Sequence, residues 1–297
     1  ELLTHSLHCF EFVELTLNTL RYMKKLWLLL IPLAFSPSLC KGQQKKVLEP
    51  ALLECHYTHL VKRDTLTEND IHRDSMILRL GKRFTSFVSY YTCQDDSIEV
   101  LPGHARLKLQ RFHARVSNLD SIRRAGISTT SEYLYKDRQK DSCYVYGRVG
   151  EIGRKEAVVV KEKIPVMKWM QQDSVKMVCG YRCRKATTSF RGRTYVAWYT
   201  PDLPFQEGPW KLCGLPGLIL EAYDKDRHYF YSAAEIVLSP GYPVTFYNWY
   251  EKEHKPMERT EYLDRLYQQE SQYPIVYQGT EHGYDLQEKD YKNNIDL

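Results

Sequence analysis

Long basic runs are missing from this chain of 297 residues, although its net charge is +5. Arg123-Arg124 and Arg191-Gly192-Arg193 are too short to track a phosphate backbone, which argues against nucleic-acid binding. A membrane-spanning apolar stretch is also missing. Leu26 to Phe35 falls short of the roughly 20 residues a helical span requires, and Pro32 interrupts it. The sequence has no G-x-S-x-G, no H-E-x-x-H, no phosphate-binding loop and no EF-hand loop. Serine-hydrolase, zinc-protease, nucleotide and calcium chemistry of the recognisable kinds are therefore not indicated, and neither a cofactor nor a metal is expected. No internal repeat occurs, and strands do not alternate with helices in the way a parallel sheet requires.

Aromatic residues, by contrast, are abundant. There are 23 Tyr and 5 Trp in a chain that is 43% hydrophobic and 27% charged. Tyrosine suits half-exposed strands, because its ring packs while its hydroxyl stays wet.

The segment "MKKLWLLLIPLAFSPSLCKGQQ" has the order of a secretory signal peptide. Lys24 and Lys25 form a cationic start, Leu26 to Phe35 an apolar middle, and small residues precede Gln43. Residues 23–42 are read as the signal, with cleavage expected after Gly42. Cys40 invites a lipid-anchor reading, but Pro37 stands where a lipobox has Leu. Residues 1–22 are expected to be an upstream extension outside the mature protein. The mature chain is expected to fold outside the cytoplasm, in the periplasm or at the outer membrane, with no transmembrane segment. Six cysteines then remain, at 55, 93, 143, 179, 183 and 213. An oxidising compartment permits disulfides among them, in any of 15 pairings.

Residues 43–278 read as one β-rich domain. In "ALLECHYTHLVKRD" Leu53, Cys55, Tyr57 and His59 alternate with Glu54, His56, Thr58 and Leu60, the period of a strand. "DSMILRLGKRFTSFVSYYTC" reads as a hairpin about Gly81-Lys82. Residues 94–141 show weak periodicity and are expected to be a long mobile connection. Strand-like runs return in "CYVYGRVG", "EAVVVKEKI", "VKMVCGYRCRKATTSF", "TYVAWYT", "PGLILEAYD", "YFYSAAEIVL" and "VTFYNWYEKE", at the spacing of an antiparallel meander. Thr260, Leu263, Leu266 and Tyr267 then fit an amphipathic helix. A polar tail, 279–297, follows. The fold class expected is mainly β: a strongly bent antiparallel sheet or partial barrel with a C-terminal helix.

"TPDLPFQEGPWKLCGLPGLILEAYD" concentrates backbone punctuation before a strand. Pro201, Pro204 and Pro209 cannot donate to a ladder, so a loop is expected there. Gly214, Pro216 and Gly217 force a tight turn into the strand that follows. Two readings stay open for this block. In one, Trp198, Tyr199, Trp210, Gly214, Leu215, Pro216 and Gly217 form the wall of a binding cleft. In the other, the tryptophans simply cap the sheet's core.

The stretch from Cys183 to Asp224 resembles the signature block of the GLPGLI family of bacterial envelope proteins. The hexapeptide Gly214-Leu215-Pro216-Gly217-Leu218-Ile219 is complete. Lys185-Ala186, Arg191-Gly192-Arg193, Ala197-Trp198-Tyr199, Pro204 and Gly208-Pro209-Trp210 also fit. The resemblance implies an exported envelope protein. It brings no biochemical activity with it, and some members are encoded beside outer-membrane transporter genes. Cys213 and the cysteines at 55, 93 and 143 are not part of that pattern.

Among polar candidates, a cross-strand disulfide between Cys183 and Cys213 is one expectation. Asp202 and Glu207 flank the proline-rich loop and offer two carboxylates for acid–base work, or two turn residues. Arg191 and Arg193 offer an anion-binding pair, or a solvated turn. His228 offers a base, or a turn histidine. The function expected is non-enzymatic: binding of a partner protein or of a peptide-like or apolar ligand, conceivably as an accessory to an outer-membrane transporter. The alternatives are an envelope hydrolase acting through the loop carboxylates, and a purely structural envelope component.

Overall fold

The computed structural model describes residues 46–62, 71–107, 109–110, 130–150, 155–248 and 253–271. The signal peptide, the upstream extension and the polar tail lie outside the described residues. The described residues all belong to one compact unit, Gln44–Leu297.

Fourteen strands carry the fold: β1 Lys46–Pro50, β2 Leu53–Lys62, β3 Ile71–Leu80, β4 Phe84–Ser89, β5 Tyr133–Asp137, β6 Ser142–Val149, β7 Glu156–Lys163, β8 Met170–Val178, β9 Tyr181–Phe190, β10 Arg193–Thr200, β11 Leu218–Asp224, β12 Tyr229–Leu238, β13 Pro243–Phe246 and β14 Lys255–Pro256. Among the described residues the helices α1 Tyr90–Glu99 and α2 Arg259–Ser271 join them, and residues 104–107 and 109–110 are helical as well. One large sheet runs in the order β14-β7-β6-β5-β4-β3-β2-β12-β11-β10-β9-β8. Its neighbours are antiparallel except β14 and β7, and it does not close. The expected bent antiparallel sheet with a C-terminal helix is thus present.

Period-two patterning decides which face is buried. On β2, Leu53, Cys55, Tyr57, His59 and Val61 point inward. Opposite them on β3 stand Leu80, Leu78, Met76 and Asp74. Local backbone chemistry sets the hairpins. Cys179-Gly180 and Arg191-Gly192 are two-residue loops with φ positive at both positions, the type I′ geometry that matches strand twist. The run 175–190 is therefore two strands around a turn. Bending brings distant strands together: the Tyr57 hydroxyl on β2 donates to the Ile219 carbonyl on β11 at 2.6 Å.

Three segments differ from the sequence reading. Tyr90 to Cys93 is helical, because Ser89 ends β4 and caps α1, its Oγ accepting from the Thr92 amide at 3.2 Å. The supposed connection 94–141 contains β5, which pairs with β4 and β6 across the whole of its length. β13 leaves the meander and pairs with β1 in a two-stranded ribbon. This ribbon and α1 cover the outer face of β3 to β6, in a second cluster built on Ile77, Val88, Tyr133, Tyr135 and Tyr247.

Ser89 also donates to Asp74 at 2.8 Å, so one buried hydroxyl serves a cap and a carboxylate. Ser89→Ala is expected to lower the unfolding free energy by about 1–2 kcal/mol, measured by urea denaturation.

Candidate functional site

The signature block lies inside the bend of the sheet. After β10 the chain passes the exposed Pro201-Asp202, then turns inward at Leu203. Residues 203–219 pair with themselves: the Gly214 amide donates to Gln206, Leu218 to Leu203 and Ile219 to Glu207, at 2.9–3.1 Å. Glu207 and Cys213 form an antiparallel bridge at the base of this inner hairpin. Leu212, Leu215, Leu218 and Ile219 are buried in the main core. Close backbone approach explains two glycines. A side chain on Gly217 would collide with the Thr200 carbonyl, and one on Gly208 would meet Ile219 at 2.7 Å.

Two buried ionic clusters anchor the block. Glu207 Oε2 accepts from Lys136 Nζ on β5 at 2.8 Å; Oε1 accepts from Arg138 at 3.1 Å and from the Thr85 hydroxyl at 3.2 Å. Lys136 is fully buried. Burial alone would lower its pKa, but the Glu207 carboxylate outweighs that and raises it. Nearby, Lys211 Nζ reaches Glu162 Oε2 on β7 at 2.5 Å. The block, which joins β10 to β11, is thereby tied to β5 and β7 in the other half of the sheet.

Of the residues singled out from the sequence, Tyr199, Trp210, Leu215 and Gly217 fill the interior here, and the others do not. Tyr199, Trp210, Leu215 and Gly217 are buried, Trp198 is half-buried, and only Gly214 and Pro216 are exposed. Trp210 packs edge-on against Phe190 at 5.6 Å and lies 6.3 Å from Tyr195. The Tyr199 hydroxyl donates to Gln171 at 2.7 Å. Trp198 lies on the other face, under the Lys176 ammonium at 4.6 Å, and Lys176 also binds Glu221. A recess of about 30 Å³, room for one or two waters, is lined by Asp96, Tyr133, Tyr146, Arg148, Tyr247 and His254, and by none of these residues.

The disulfide expectation is corrected. Cys183 and Cys213 are free, as are the other four described cysteines. Cys183 Sγ donates to the Tyr181 carbonyl and Cys213 Sγ to that of Pro165, each at 3.6 Å, so the two thiols are held by different segments. Burial raises both pKa values, that of Cys183 to about 11, which keeps both thiols protonated and unreactive. The remaining candidates separate likewise. Asp202 is exposed, whereas Glu207 is neutralised in the core. Arg193 binds Asp224 at 3.1 Å and contacts His228 at 3.0 Å, so Arg193 and His228 brace the β10–β12 region, while Arg191 turns away to Glu162 on β7. No group of three or more metal-ligating side chains occurs among the described residues. No described helix is long and apolar enough to cross a membrane.

Lys136, Glu162 and Lys211 escaped the sequence reading. The only signal that a strand passes Lys136 is the short apolar run Tyr133, Leu134 and Tyr135.

Residues 189–221 match the family model Porph_ging, described as a protein of unknown function. That short stretch runs from the end of β9 through β10 and the inner hairpin 203–219 into β11. No curated protein matches the chain significantly. Two solved structures of PNGF-II, in two space groups, are similar with a TM-score of 0.46 each and identities of 14% and 13%. The similarity covers 73% of this chain and 33% of theirs, so the chain spans about a third of those structures.

Proposed function

We propose that this chain is a GLPGLI-type exported envelope protein without catalytic activity, a rigid β-scaffold that binds a protein partner through its outside. The observation that carries this reading is the filled bend. Residues 203–219 occupy the concavity where an apolar ligand would otherwise lodge, and Glu207 is neutralised by Lys136 and Arg138. Recognition then falls to the outer surface. The edge strand β8 exposes Met170, Val175 and Met177, and Val166 just before it. Lys168, Arg182 and Arg184 are exposed on and beside this edge. An acidic extended segment of another envelope protein fits it: open backbone groups pair with the added strand, and the cations meet its carboxylates. The bulge between Gln172 and Val175, with the charged Asp173, guards the edge against indiscriminate pairing. Assistance to an outer-membrane transporter is the concrete form of this role.

A photo-crosslinking residue at Met177 should capture one specific envelope protein from native membranes, while the same residue at Leu238, exposed on β12, should not. Recovery of the uncrosslinked chain alone from both positions would overturn the reading.

A further inference from the structure

Glu162 on β7 is shared by more cations than one carboxylate can serve. Its Oε1 accepts from Arg191 Nη2 at 2.5 Å, and its Oε2 from Lys211 Nζ at 2.5 Å. A third cation, Arg259 at the start of α2, places Nε 3.6 Å from Oε1. Arg191 and Lys211 already outnumber the carboxylate. The Lys211 ammonium has three donors, and its side chain is only 3% exposed. Arg191 Nη1 is buried with no hydrogen-bond partner, while its guanidinium lies over the rings of Phe190 and Trp210 at 5.0 and 5.8 Å. For Arg191 and Lys211 together, donors and positive charge thus exceed what the single Glu162 carboxylate can accept. Lys211 has its pKa lowered, by burial first and by Arg191 second, so the cations repel one another at this point. The cluster still reaches solvent, since Glu162, Arg191 and Arg259 keep 18%, 19% and 26% of their side chains exposed.

We infer that Arg191, Lys211 and Arg259 form a binding site for a small oxyanion of the phosphate or sulfate type, with Glu162 as its internal counter-ion. The oxyanion supplies the acceptors that the single carboxylate cannot. Guanidinium groups suit it because their planar N–H pairs match two oxygens at once. The site joins β7, the β9–β10 turn, the signature block and α2, so an oxyanion there would bridge the cations that these segments contribute. A free anion and a phosphoryl group on a larger molecule offer the same chemistry.

The test uses the whole chain and inorganic phosphate, with sodium chloride at matched ionic strength as reference. Phosphate binding is read by ³¹P line broadening, which does not depend on stability, and by the thermal midpoint. Saturable broadening and a raised midpoint are expected. Arg191→Gln should weaken binding about tenfold, the loss of one charge-assisted contact. Glu162→Gln should tighten it several-fold, because the competing negative charge is gone; a purely structural Glu162 would cost stability without that gain. Arg259→Gln, at a partly exposed helix start, covers the case in which Arg191→Gln fails to fold, and should also weaken binding. Phosphomethyl and phosphoserine competitors displace inorganic phosphate if the natural ligand is a phosphoryl group, and bind more weakly if it is the free ion. Equal responses to phosphate and chloride, or unchanged phosphate binding in Arg259→Gln and Glu162→Gln, would overturn the site.

Discussion

Lys136→Met is expected to lower the unfolding free energy by about 3 kcal/mol, because it strips the main partner from a buried carboxylate. The ammonium of Lys136 is fully buried and lies 2.8 Å from Glu207 Oε2. Methionine matches its length and shape, so packing is nearly preserved and the charge is the variable. Glu207 would then be left with Arg138, one third exposed, and the Thr85 hydroxyl. Those two contacts place the loss at the lower end of the range for broken buried pairs. The double variant Lys136→Met with Glu207→Gln should recover about half of the loss, since no unpaired charge stays in the core. Because Glu207 anchors the signature block to β5, the single variant should also loosen residues 203–219, seen as faster amide exchange there. The lysine pKa is raised, so the contribution of its charge is complete at neutral pH and declines as the solution becomes strongly alkaline. Denaturant midpoints for the wild type and the two variants check this. A loss under about 1 kcal/mol for Lys136→Met would mean that the pair is wet.

Why this pair was invisible in the sequence is a matter of distance along the chain. Glu207 stands 71 positions from Lys136, and a lysine in a short polar-looking stretch reads as surface until its partner is known. β5 has only five residues, all of them buried, so it carries no in–out alternation to set it apart from the charged Arg138 that follows. Long strands fared differently. The ten residues of β2 show period two plainly enough to place Leu53, Cys55, Tyr57 and His59 on one face. The hairpin at Arg191-Gly192 was legible because a glycine in a two-residue loop has a specific backbone use. For the signature block, prolines and glycines announced tight turns and close backbone approach. They did not announce what the block fills, since that depends on β5 and β7 meeting it from the far side of the bend. β13 looked like one more strand of the meander, and its choice of β1 is a non-local pairing that composition does not encode.

His59 follows from the same legible alternation, and it carries a second large effect. Its ring is fully buried and stacks on Tyr231 with centroids 4.1 Å apart and planes within 5°. Neither ring nitrogen has a hydrogen-bond partner. Burial holds its pKa down at about 3, well below the ordinary histidine value. In the unfolded chain His59 takes up its proton near pH 6.5, whereas in the folded chain it stays neutral until far lower pH. The unfolded state therefore binds more protons between these two values, and stability must fall as the pH drops through that window. Down to pH 5 the loss attributable to His59 should be about 2 kcal/mol. Glu54 also has a lowered pKa, about 2, but its loss sets in only as the pH falls into the ordinary carboxylate range, below the histidine window. Half-buried His254 is lowered too and acts in the same direction, so the decisive comparison is between variants. His59→Phe keeps the flat ring on Tyr231 and removes both unsatisfied nitrogens. It should raise stability at neutral pH by about 1–3 kcal/mol and flatten the decline between pH 7 and pH 5. Urea midpoints at several pH values give both quantities. Parallel curves for the wild type and His59→Phe would show that His59 is solvated, and with that the dry, fully packed interior on which the outward-facing reading of this scaffold depends would be lost.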